Sequence, residues 1–106
     1  MNPFLPIRII SRKIGRNYNL INYINALNDE LIIYEGFIKT DKYWEMNTKH
    51  THSLFVITDW ESKIARDRWF HSHERLNIFD KYKKDIQSED FEFLVKKKDN
   101  NDMFLL

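Results

Sequence analysis

Apolar positions along the chain recur with two periods, and the switches between them mark the elements. Over 7–14, Ile7, Ile9 and Ser11 share one face and Ile10 and Ile14 the other, which predicts a strand. Pro3 and Pro6 stand ahead of it, where a missing N–H costs little. Gly15 and Arg16 end the strand, and Asn17 is placed to cap a helix running to about Glu30. Leu20, Ile24, Leu27 and Leu31 form its apolar stripe, flanked by Ile21 and Tyr23. Asn19, Asn22, Asn25 and Asn28 are weak helix formers, so packing must hold this helix, and their row reads as a solvated face, with the lining of a polar cavity as the alternative.

An extended stretch follows over 31–46, with Gly36 as a bulge or a point of close approach. Residues 47–52 read as a polar turn. In 53–60, Leu54, Val56, Thr58 and Trp60 face one way and Phe55, Ile57 and Asp59 the other, the pattern of a central strand covered from two sides. Ser62 and Ser72 are N-cap residues for two consecutive helices, 63–71 and 73–86, with Glu74 in the first turn of the second. Ala65, Trp69, Ser72, Leu76, Phe79 and Ile86 fall on one stripe across both. Residues 87–90 turn the chain, and Phe91, Phe93 and Val95 alternate as a last strand. The order β-α-β-β-α-β is an α+β, ferredoxin-like arrangement: a four-stranded antiparallel sheet with helices on one face.

Composition narrows the function classes. The 106 residues fit one domain, 1–106, with a core over 7–95 and a C-terminal tail over 96–106. Lys and Arg number 17 against 16 Asp and Glu, too balanced for a dedicated nucleic-acid partner. No apolar run approaches the roughly 18 residues of a membrane span, so no membrane partner is expected. The absence of cysteine excludes disulfides, thiol nucleophiles and thiolate metal sites. The start of the chain has no acidic residue before Asp29, which also fits an organelle transit peptide. Pro6 and Arg8 interrupt 4–10 and argue against a secretory signal; the alternation over 7–14 favours a first strand, and a cytoplasmic protein is expected. The tail ends in Met103, Phe104, Leu105 and Leu106, apolar enough to dock across a partner subunit.

Three stretches carry a family likeness: Gly36-Phe37-Ile38, then 56–62 ending Trp60-Glu61-Ser62, then Trp69-Phe70-His71-Ser72-His73-Glu74-Arg75. On these the sequence resembles the antibiotic biosynthesis monooxygenase-like family over about 7–95. The resemblance implies a dimeric α+β barrel, two ferredoxin-like sheets face to face with helices outside, hence a homodimer. It implies a ligand cavity between sheet and helices and a small hydrophobic or aromatic ligand. The family holds cofactor-independent monooxygenases acting on aromatic or quinol-like substrates, and haem-degrading enzymes. Trp69 matches the pocket Trp of the haem-degrading branch, but Phe79 stands at its haem-ligating His and Ser11 at its pocket Asn. Phenylalanine cannot ligate iron, so no haem or other cofactor is expected, with His73 as the nearest alternative ligand.

Candidate chemistry is sparse. His50 and His52 lie at a turn, and His71 and His73 would point about 200° apart on a helix, so no metal site is expected. Asp59 and Glu61 have no second carboxylate at acid/base spacing, and there is no phosphate-binding Gly-rich loop. Lys81, Lys83, Lys84 and 96–98 read as solvated surface. Strand parity and the helical stripe make Trp69, Ser11, Arg12, Tyr34, His52 and Phe79 the substrate-pocket candidates, with no catalytic residue assigned. The expectation is a small-molecule enzyme of the monooxygenase type; the alternative is a non-catalytic homodimeric module binding a ligand or a protein. An enclosed pocket with Trp69 and convergent polar groups favours the first, a filled one the second.

Overall fold

A computed structural model describes residues 7–16, 18–45 and 52–95. Strand β1 (Ile7–Gly15) leads into α1 (Asn19–Leu31), followed by β2 (Phe37–Trp44) and β3 (His52–Trp60). Helices α2 (Lys63–Phe70) and α3 (His73–Tyr82) and a 3-10 turn (Lys83–Asp85) precede β4 (Ile86–Val95). The strands form one antiparallel sheet in the order β2-β3-β1-β4, the ferredoxin-like topology.

The core lies between the sheet and the helices. Leu20, Ile24, Leu27 and Leu31 of α1 are buried against Ile9 of β1, Leu54 and Val56 of β3, and Ala65 and Trp69 of α2. Trp60 is fully buried at the end of β3, its indole N–H donating to Thr58 Oγ1 at 3.0 Å. Ser62 and Ser72 cap α2 and α3 as their sequence positions imply, accepting from the backbone N–H of Ala65 and Arg75.

Gly36 explains the sharp entry into β2. Its φ is +89°, and a Cβ there would lie 2.4 Å from Ala65 Cβ, so the backbone approaches α2 as only glycine allows. The bulge falls two residues on, where Ile38 is the extra residue between Phe37, opposite Trp60, and Lys39, opposite Asp59. A second irregularity lies on the other edge strand. Ile14 is opposite Ser88 but Gly15 is opposite Ile86, so Gln87 has no partner in β1.

Several boundaries differ from the sequence reading. Asn17 lies outside the described residues; α1 starts at Asn19 behind Tyr18, which makes no side-chain cap. Residues 32–36 turn the chain, so β2 is shorter than the extended stretch suggested. The last helix stops at Tyr82, and 87–90 is strand, because Arg16 N–H donates to Asp85 O and Ile86 then pairs with β1. Leu76, assigned to the inward stripe, is 46% exposed, since α3 packs against the core through Ile78, Phe79 and Tyr82. The tail 96–106 and most of the 47–52 turn lie outside the described residues.

Among the described residues, no helix lies on the far face of the sheet. This face presents Ile10, Tyr43, Phe55, Ile57 and Leu94 among charged residues, with Tyr43 and Leu94 exposed. Two forked ion pairs cross it, Arg8 to Asp59 and Arg12 to Glu45. The sequence pattern of β3, apolar on both sides, corresponds to one face against helices and one face open.

Candidate functional site

Beneath Trp69 the sheet and helices leave a cavity of about 40 Å³. Its floor is Ile9, Ser11 and Lys13 of β1 with Val56 and Thr58 of β3; Asn28 of α1, Trp69 and Phe70 of α2, Arg75 of α3 and Phe91 of β4 contribute walls. Its volume exceeds the ~10–15 Å³ a buried water needs and is far below the ~300 Å³ of ordinary small-molecule pockets. Aromatic rings surround it: Trp69 stacks on Trp60 at 6.3 Å and meets Tyr34 edge-on at 5.2 Å, while Phe70 meets Phe91 edge-on at 4.9 Å.

The dominant polar feature is a buried lysine. Alternation along β1 carries the inward face from Ile9 through Ser11 to Lys13, so the ammonium-bearing side chain enters the core and is 3% exposed. Its Nζ donates to Ser11 Oγ at 2.9 Å and to Glu89, its cross-strand partner on β4. Tyr23 O–H donates to the same carboxylate oxygen, Glu89 Oε2, at 2.6 Å. Nζ also lies over the rings of Tyr23 and Phe91, 5.3 and 5.1 Å from their centroids.

Burial pushes the Lys13 ammonium below the usual lysine value, against the opposing pull of Glu89; the Arg75 charge lowers it further. Tyr23 is raised, first by burial and then by the negative charge of Glu89. Arg75 is lowered by burial but stays charged at any ordinary pH. Its Nε donates to Phe70 O at 2.5 Å and its guanidinium stacks 4.1 Å from the Phe70 centroid.

Outside the cavity, and sharing Arg75 and Phe91 with it, is an open groove of about 360 Å³. Glu89, Phe79 and Ile86 line this groove as well. The Lys13–Glu89 pair therefore reaches from the cavity to the lining of the open groove.

The sequence-derived candidates separate in space. Ser11 and Trp69 meet in the cavity. Tyr34 stands behind Trp69, against Trp60 as well. Arg12 is on the opposite face of the sheet, because neighbouring strand residues point oppositely, and there it grips Glu45 at 2.8 and 3.0 Å. His52 is at the other end of β3, opposite Gly15, with its ring near Tyr18 and Trp44. Phe79 lines the outer groove and meets Tyr23 edge-on at 6.3 Å. Among the described residues no group of three His, Asp or Glu side chains could hold a metal.

Lys13, Glu89, Tyr23 and Arg75 were not among those candidates. The parity that selected Ser11 also selects Lys13, two residues on. Glu89 stayed hidden because 87–90 reads as a turn when β4 is started at Phe91.

No protein-family model and no curated protein sequence matches the chain. Solved structures do. The chain is similar to SnoaB, a cofactor-independent oxygenase from Streptomyces nogalater, at 10% identity and a TM-score of 0.75, over 89% of this chain and 95% of that one. It is similar to Rv0793 from Mycobacterium tuberculosis at 18% identity and a TM-score of 0.74, over 88% and 96%. It is also similar to a candidate antibiotic biosynthesis monooxygenase from Chloroflexus aurantiacus at 10% identity and a TM-score of 0.68, over 88% and 94%. These likenesses establish the antibiotic biosynthesis monooxygenase-like fold.

Proposed function

We propose that on this fold the chain is a cofactor-independent monooxygenase acting on a small aromatic or quinol-like substrate beneath Trp69. The observation that carries this reading is the cavity itself: aromatic walls around a floor that holds Ser11, Lys13 and Thr58. In such a reaction the substrate anion, not a metal or flavin, supplies electrons to oxygen. The protein must bind a flat ring, stabilise the developing oxyanion and keep water away. Trp69 and Phe70 suit the first task, Lys13 and Ser11 the second, and burial of the floor the third.

The fold's oxygenase neighbour supports this reading. The small volume favours the alternative, a module that binds without turnover. Against it stands the adjoining groove: Arg75 and Phe91 line both spaces, and a shift of these two side chains is the route by which the cavity would enlarge toward ring size.

We also infer a homodimer built through the open face of the sheet, where no helix among the described residues covers Ile10, Phe55 and Ile57. A second copy presenting the same face satisfies this patch and matches the symmetry of most homo-oligomers.

Oxygen uptake with 1,4-dihydroxynaphthalene, in buffer with chelator and under ¹⁸O₂, tests the activity. Monooxygenation yields 2-hydroxy-1,4-naphthoquinone carrying one labelled oxygen atom, the other leaving as water. A protein-dependent rate that falls at least tenfold in W69A is expected. Saturable binding with no labelled product would establish the binding module instead.

A further inference from the structure

We propose that Lys13 is the proton acceptor of the cavity and that Glu89 conducts the proton onward to the outer groove. The proposal rests on the cavity being a reaction site, and it names the groups that generate the substrate anion there. Lys13 lines the cavity and lies beside Ser11 within it. Glu89, bonded to the same Nζ, lines the groove outside. The two side chains span the wall between the cavity and the more open groove.

The arrangement is poorly explained as a strut. Burying an ion pair costs several kcal/mol of desolvation per ion, and an apolar pair of the same size is often as stable or more so. The pair also sits on the inward face of the strand bearing Ile9, at a position where an apolar residue would simply extend the core. The groups facing Nζ are Ser11 on β1, Glu89 and Phe91 on β4, Tyr23 on α1 and Arg75 on α3. Glu89 favours the ammonium, while burial and Arg75 favour the free amine, which a base requires.

The proton balance closes without a co-reactant. The amine of Lys13 takes a proton from the substrate O–H or C–H, leaving the substrate anion and an ammonium. The ammonium passes a proton to Glu89, restoring the amine and forming a carboxylic acid. The acid releases its proton to water in the groove and returns to carboxylate. Tyr23, donating to Glu89 Oε2, is a positioning residue that holds the carboxylate against Nζ.

The test uses 5-nitrobenzisoxazole, which opens on loss of one C–H proton, its N–O bond breaking to give a coloured cyanophenolate. It consumes no oxygen, so a failed oxygenase assay leaves this result readable, and a working oxygenase does not guarantee it. The wild-type rate should rise with pH through a midpoint below that of a free lysine. K13M should lose at least tenfold; if it does not fold, K13M/E89L removes both charges and carries the same expectation. E89Q should move the midpoint to lower pH and R75Q to higher pH, shifts that a merely structural pair would not produce. In parallel, the ¹⁵N signal of Lys13 Nζ should titrate below those of the surface lysines. A rate retained by the Lys13 variants, no protein-dependent rate, or a Lys13 Nζ that titrates with the surface lysines overturns the proposal.

Discussion

Arg8 on β1 and Asp59 on β3 stand directly opposite each other and are joined by two hydrogen bonds, Nε to Oδ1 at 2.7 Å and Nη2 to Oδ2 at 3.0 Å. Asp59 is 2% exposed while the Arg8 side chain stays 38% exposed, so the carboxylate depends on the arginine for most of its solvation. R8M strands that charge and should cost about 1–3 kcal/mol. R8M/D59L, which removes both charges, should recover most of the loss. Urea unfolding of the two variants is decisive: equal destabilisation would mean the pair contributes nothing through charge.

Gly36 makes the sharpest steric prediction. G36A meets both a positive φ and the methyl of Ala65, and should lose about 1–3 kcal/mol of stability. Adding A65G relieves the contact but not the backbone strain, so the double variant should recover only in part. A melting curve for G36A that overlays wild type would refute the close approach of β2 to α2.

Stability should depend on pH in the alkaline range with two opposite slopes. The folded Lys13 has a pKa below its unfolded value of 10.5, so between the two the unfolded chain holds a proton that the folded chain has released. Stability therefore rises with pH across that window. Tyr23 is raised above its unfolded value of 10.0, so above it the unfolded chain gives up a proton that the folded chain keeps, and stability falls. K13M/E89L should flatten the climb and Y23F should soften the fall, as read by chemical denaturation from neutral pH upward.

The proposed homodimer is checked by mass in solution. Light scattering at micromolar concentration should give twice the 13.0 kDa of one chain. I57E places a charge at the middle of the open sheet face and should yield the single-chain mass with the fold intact by circular dichroism. A wild type of 13.0 kDa would refute the pairing.

Much of the architecture is legible in period alone. Ile7, Ile9 and Ser11, the α1 stripe, and the two serine caps each express a local rule that the fold obeys. What fails is whatever depends on partners distant in sequence. The start of β4 is set by Gly15 and Arg16 at the other end of the chain, and so the extended character of 87–90 has no local signal. Arg12 and Ser11 are neighbours in sequence yet end on opposite sides of the sheet, one gripping Glu45 and one lining the cavity. A lysine on an inward face is legible from parity. Its tolerance there is not, since that depends on Glu89 and Tyr23 arriving from other elements.

The unpaired Gln87 has an effect out of proportion to its size. Counting back from Phe91 and Glu89, strict alternation would point Gln87 inward and Ile86 outward. The extra residue resets the phase, so Ile86 joins Glu89 and Phe91 on the side toward the helices. Residues three apart in a regular strand face opposite ways, so Ile86 and Glu89 could not both point inward. A register set by Glu89 alone would turn Ile86 out of the core, and one set by Ile86 alone would turn Glu89 away from Lys13. An irregularity on the edge strand thus lets an apolar residue close the core while the buried lysine stays matched to its counter-ion.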